Sequence, residues 1–200
     1  MEEACVIVPT IRSSPMNKTI FLLGFATLFG FGTAGVLVVE FYQERSFFEL
    51  LLNGWKLHHQ LWMGGLSGLM ASGLALLVIT RRFFEKEEAY YSGMISKLGL
   101  DLKGIVFLSL CAGIGEEIFF RAAIQPFLGI GGTSLLFVLL HGYLSPRNIR
   151  ISIYGVVMVL IVIGFGYLFK SIGIFSAIVA HSVLDMVLFW RLTRRRTLFT

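Results

Sequence analysis

Six ionisable side chains interrupt the long apolar stretches of this sequence: Glu116, Glu117, Arg121, His141, His181 and Asp185. Hydrocarbon penalises such groups, and inside membrane segments they face a bundle interior or a wet cavity and pair with one another. Their types define the chemistry open to them. A carboxylate held in a semi-dry site is a base for water, and nearby imidazoles can donate to a developing oxyanion. The same groups also serve proton relays in transporters. Two histidines with one or two carboxylates can hold Zn²⁺ with an open position.

Spacing sorts them further. Glu117 and Arg121 are four apart and share a helix face, the spacing of an ion pair. Glu116 and Arg121 are five apart, about 140° around a helix, so Glu116 is left free to face something else. His181 and Asp185 are again four apart, so Asp185 can orient the imidazole or accept its proton. Phe137 lies one turn before His141 and, taken alone, is an ordinary core aromatic. His58 and His59 read as interfacial loop residues. There is no Gly-x-Ser-x-Gly elbow, so Ser109 and Ser182 have little claim as nucleophiles. There is no His-Glu-x-x-His either.

These residues need elements to carry them. The 200 residues are 56% hydrophobic and only 14% charged, with a mean hydropathy of +0.81, where soluble domains carry about 25% charged residues. The sequence therefore predicts an all-α polytopic membrane protein with about six transmembrane helices, in a single membrane domain. Residues 1–18 read as a polar tail. The spans run over 20–39, 61–80, 104–128, 133–144, 151–169 and 174–190, each judged against the ~20 residues that a bilayer core demands. The first is too long for a signal-peptide apolar region of roughly 7–15 residues and is read as retained. Residues 47–52 suit the interface, residues 83–103 form the longest charged connection, and 129–132 form a Gly-rich turn. The polar site then lies between spans three, four and six. Counted inward from one face at ~1.5 Å per residue, Glu116 lies ~18 Å deep, His181 ~14 Å, Asp185 ~8 Å and His141 ~6 Å.

Of the 17 Lys and Arg residues, six spans put thirteen on the side of the termini and three, Arg45, Lys56 and Lys170, on the other, with Arg121 inside a span. The positive-inside rule then predicts both termini in the cytoplasm, in a bacterial inner membrane. The net charge of +5 is thus accounted for at membrane edges, including the basic tail 191–200, without a nucleic acid. Cys5 and Cys111 suggest neither a disulfide framework nor a metal site.

Glu116-Glu117-x-x-x-Arg121, Phe137-x-x-x-His141 and His181-x-x-x-Asp185, each on its own apolar segment and in this order, resemble the CPBP family. That family includes type II CAAX prenyl endopeptidases, bacteriocin-processing and Abi proteins, and related glutamic-type intramembrane proteases. The resemblance covers about residues 100–190. It implies an intramembrane endopeptidase acting on a membrane-associated peptide or protein at the bilayer. It also implies that Glu116 activates water and that His141, His181 and Asp185 assist, with Glu117 and Arg121 supporting. CAAX enzymes of eukaryotes carry Asn at the position of Asp185. Asn donates a hydrogen bond to an oxyanion and ionised Asp does not, so orienting His181 is an equal role for Asp185. Metal-free chemistry is favoured, with no cofactor. In a Zn²⁺ version the ligands would be Glu116, His141, His181 and Asp185. A proton-coupled transporter and a non-catalytic immunity or scaffold protein are the competing classes. The absence of an internal repeat disfavours the first, and the intact motif set disfavours the second.

Overall fold

The computed structural model describes residues 18–195. The polar N-terminal tail with Cys5, and the end of the basic tail with Arg196, lie outside the described residues. Every regular element among them is helical: α1 (Lys18–Tyr42), α2 (Phe47–Leu52), α3 (Leu57–Ile79), α4 (Glu85–Lys97), α5 (Leu102–Leu140), α6 (Ile149–Ser171) and α7 (Ile174–Arg195). Five of these, α1, α3, α5, α6 and α7, are long and apolar enough to cross a membrane. Large apolar side chains point outward from them, Leu22 at 71% and Trp62 at 77% exposure. That is the surface expected of helices whose solvent is lipid.

Capping residues fix where the helices begin. The Asp101 side chain accepts from the Gly104 N–H at 2.8 Å at the start of α5. The Asn148 side chain accepts from the N–H groups of Arg150 and Ile151 at the start of α6. Each satisfies donors that the first helical turn leaves unpaired. Helices α3 and α7 pack backbone to backbone. A Cβ at Gly64 or Gly68 would come within 2.6 Å of the carbonyl oxygens of Ser176 and Ala180. Small residues at this spacing permit the close approach that drives helix association in lipid.

Helix α5 does not run straight. Its 39 residues would extend roughly 58 Å, twice the ~30 Å of a bilayer core. Gly129 breaks it, with φ 67° and ψ 174°, a conformation that glycine adopts without a Cβ penalty. Past Gly129 the chain turns back, because His141 Nε2 returns to 3.5 Å from Glu116 Oε2. The helix is therefore two opposed limbs, 102–128 and 130–140. The expected Gly-rich turn over 129–132 contracts to one residue. The expected span 133–144 becomes the shorter second limb.

Other expectations also shift. Residues 83–103 hold the helix α4 and are not a plain connection. His58 and His59 sit in the first turn of α3, not in a loop. Two sets of contacts define the ends of the bundle. At one end the Trp55 N–H donates to the Ile172 carbonyl (2.8 Å) and the Phe175 N–H to Gln60 Oε1 (3.1 Å). At the other end Asn148 donates to Glu87 (3.1 Å), Arg191 pairs with Glu88 (3.1 Å), and the Ser92 hydroxyl donates to the Leu192 carbonyl (2.7 Å). The basic connections 80–103 and 141–150 and the end of α7 gather at this second end.

Candidate active site

The six ionisable groups meet where the two limbs of α5 face α7. Glu117 and Arg121 are fully buried, with Arg121 Nε 2.8 Å from Glu117 Oε2. Arg121 Nη1 reaches Gln125 Oε1 at 3.5 Å, and Gln125 Nε2 donates to the Gly166 carbonyl at 3.2 Å. The guanidinium also lies 6.0 Å from the centre of the Phe137 ring. Glu117 uses its second oxygen on α7: His181 Nδ1 lies 2.9 Å from Oε1. A carboxylate only accepts, so Nδ1 carries the hydrogen of that bond. His181 Nε2 turns to Asp185 Oδ2 at 3.6 Å, beyond hydrogen-bond length.

Glu116 meets a different histidine. His141 Nδ1 lies 2.8 Å from the Phe137 carbonyl, which fixes Nδ1 as the donor and presents Nε2 to the site. Nε2 is 3.5 Å from Glu116 Oε2. That oxygen is enclosed and has no hydrogen-bonding protein partner. Buried polar atoms without a partner are rare, and this one sits where a water can touch both the carboxylate and the imidazole. The site is graded in exposure: the side chains of His141 and Asp185 are 34% and 22% exposed, and that of Glu116 12%.

The adjacent glutamates thus divide the histidines. Sequence spacing assigned His181 to Asp185 alone and aimed Glu116 at both histidines and Asp185. The structure gives the ring nitrogens of His181 to Glu117 and Asp185. Glu116 and His141 were placed ~12 Å apart in depth by counting residues along straight helices. They are in contact because the second limb ends at Leu140, well inside the bundle. Residues 141–148 continue without helix to the Asn148–Glu87 contact at the basic end.

Aromatic rings wall the site. Phe137 stacks on His141 at 4.2 Å and meets His181 edge-on at 5.6 Å. Phe165 lies 6.2 Å from His181 on α6. Three tyrosines that motif spacing missed line the mouth. Tyr143 lies 6.2 Å from His141 with its ring nearly parallel, 5.6 Å from Tyr154 and 5.9 Å from Tyr91. Tyr91, on α4, turns inward to meet Tyr143. Burial first, then Tyr90 and Glu87, pushes its hydroxyl pKa up.

Ser182 packs against the bare Cα of Gly113, and Cys111 is a free buried thiol. Among the described residues, no three His, Cys, Asp or Glu side chains are placed to hold one metal ion. With His181 turned to Glu117, the set Glu116, His141, His181 and Asp185 does not converge on one point. A cavity of about 1010 Å³, lined in part by Arg45, Glu49, Asn53 and Lys170, lies at the opposite end of the bundle, away from these groups.

Fold and site together define an all-α integral membrane protein with a buried polar centre. Residues 99–187, a little under half of the chain, match the family model of the type II CAAX prenyl endopeptidase Rce1-like proteins. This match supports membership of the CPBP family, and with it a membrane-embedded protease. No curated protein and no solved structure matches the chain.

Proposed function

We propose that the protein is an intramembrane endopeptidase of glutamic type. The observation that carries this reading is the enclosed Glu116 Oε2, without a protein hydrogen bond and 3.5 Å from His141 Nε2. A water held by both groups gives its proton to Glu116. Its oxygen forms a bond to the peptide carbonyl carbon, and the carbonyl electron pair moves onto oxygen. Collapse of this oxyanion breaks the C–N bond, and the proton on Glu116 passes to the leaving nitrogen. His181, held through Nδ1 by Glu117, donates from Nε2 as the imidazolium to the oxyanion, in a site where low dielectric strengthens such bonds. Arg121 neutralises Glu117, which keeps the second carboxylate out of the chemistry. The substrate is a membrane-associated peptide. The gathering of basic connections at one end of the bundle supports cytoplasmic termini in a bacterial inner membrane.

The test uses the purified chain in lipid vesicles with two fluorogenic, internally quenched peptides. One ends in a prenylated CAAX sequence and the other is an unprenylated membrane-spanning peptide. Glu116→Ala is expected to lower cleavage by about 10²–10⁴-fold, the usual worth of a general base. A chelator is expected to leave the rate unchanged. Full activity in Glu116→Ala rules out the mechanism, and loss of activity with chelator, restored by Zn²⁺, rules out its metal-free form.

A further inference from the structure

The hydrolytic reading leaves one requirement partly met. An oxyanion needs preorganised donors. Ionised Asp185 only accepts, and His141 Nε2 faces Glu116. Tyr143 stands two residues past His141, on the non-helical segment between α5 and α6. Its main chain is fixed from several sides. Its N–H donates to the Val138 carbonyl at 3.2 Å, and its carbonyl lies against Gly155, where a Cβ has no room. Two residues on, the Ser145 N–H donates to the Ser152 hydroxyl at 2.9 Å and that hydroxyl donates back to the Ser145 carbonyl at 2.8 Å. Gly142, at φ 75°, supplies the left-handed turn between His141 and Tyr143. The ring is held beside His141 by its contacts with Tyr154 and Tyr91.

The Tyr143 hydroxyl keeps its proton. A phenol ordinarily ionises at about pH 10 and is protonated at neutral pH. Among the described residues no protein group is hydrogen-bonded to the hydroxyl. A protonated, unengaged hydroxyl on a rigid segment at the mouth of the site is a preorganised donor.

We propose that Tyr143 is a catalytic residue of this protease, whose hydroxyl donates a hydrogen bond to the oxyanion and supplies the donor that Asp185 does not. The proposal rests on the glutamic-protease reading above, and its test separates the two. With the full chain in vesicles and the quenched prenylated CAAX peptide, Tyr143→Phe is expected to lower kcat about a hundredfold, the scale of one lost oxyanion donor, with KM unchanged. Tyr167→Phe, at an exposed tyrosine on α6 away from the site, is expected to leave kcat unchanged. Because Asn donates where ionised Asp cannot, Tyr143→Phe is expected to cost less in an Asp185→Asn background than in the unmodified chain. A merely structural role for Tyr143 gives equal costs in both. Unchanged kcat in Tyr143→Phe, alongside an inactive Glu116→Gln, overturns the role of Tyr143 alone. Full activity in Glu116→Gln, or no cleavage by the unmodified chain, overturns both readings.

Discussion

Two adjacent glutamates do opposite work because a helix turns about 100° per residue. Glu117 points into the fully buried space between Arg121 and His181, 2.8 Å from one and 2.9 Å from the other. Glu116 points to the wetter side, where His141 is a third exposed. Removing one partner of a buried pair leaves an uncompensated charge. Arg121→Ala is therefore expected to destabilise the protein by about 3–5 kcal/mol. Adding Glu117→Gln to that variant is expected to recover part of the loss, since the two groups are coupled. Thermal unfolding in detergent checks this, and a double variant no more stable than Arg121→Ala removes the ion pair from the account. The i, i+4 pair was legible in the sequence because local helix geometry alone specifies it. The His181–Glu117 contact spans 64 residues and depends on how α7 packs on α5, which periodicity does not encode.

At the scale of elements, the site depends on departures from regular helix. Immediately after Glu117, residues Ile118–Ile124 wind as a π-helix, a device found often at functional sites. The looser winding leaves carbonyls to be satisfied in a lipid setting. Gln43, arriving from the end of α1, donates to the carbonyls of Ala122 and Ala123 at 2.9 and 3.0 Å. The helices themselves were legible from apolar run length. The π-turn was not, because it is set by packing and no composition signals it. Nor was the contraction of the Gly-rich turn to Gly129, where four residues offered three glycines. On α6, Gly155 lets the His141–Tyr143 segment lie close, whereas Gly164 has open space around its Cα. Gly155→Ala is expected to push that segment outward and lower cleavage by about tenfold, roughly the cost of 1.4 kcal/mol in the barrier, while the protein still folds. Gly164→Ala is expected to keep activity and to gain about 0.5–1 kcal/mol of stability. Equal activity in the two variants, measured on the same quenched peptide, means that the segment does not set the geometry of the site.

At the scale of the molecule, the question is how many times α5 crosses the bilayer. Its second limb, 130–140, is about 16 Å long, too short for the ~30 Å core. Residues 141–148 therefore complete the return without helix. Irregular backbone at membrane depth must have its polar groups satisfied, and here the Ser152 hydroxyl takes up both the N–H and the carbonyl of Ser145. The charge count that favoured six spans is consistent with this return, because Arg147 and Arg150 then join Arg81, Arg82, Lys86 and Lys103 at one end. A single crossing would separate Lys103 from Arg147. In a chain with Cys5 and Cys111 replaced by serine, Lys103→Cys and Arg147→Cys are expected to react with a membrane-impermeant maleimide from the same side of sealed vesicles. Lys56→Cys and Lys170→Cys are expected to react from the other. The bond that ties Asn148 to Glu87 at 3.1 Å requires this outcome, since α4 directly precedes Lys103. Labelling of positions 103 and 147 from opposite faces means that α5 does not fold back. His141 then cannot reach Glu116, and the proposed site cannot form.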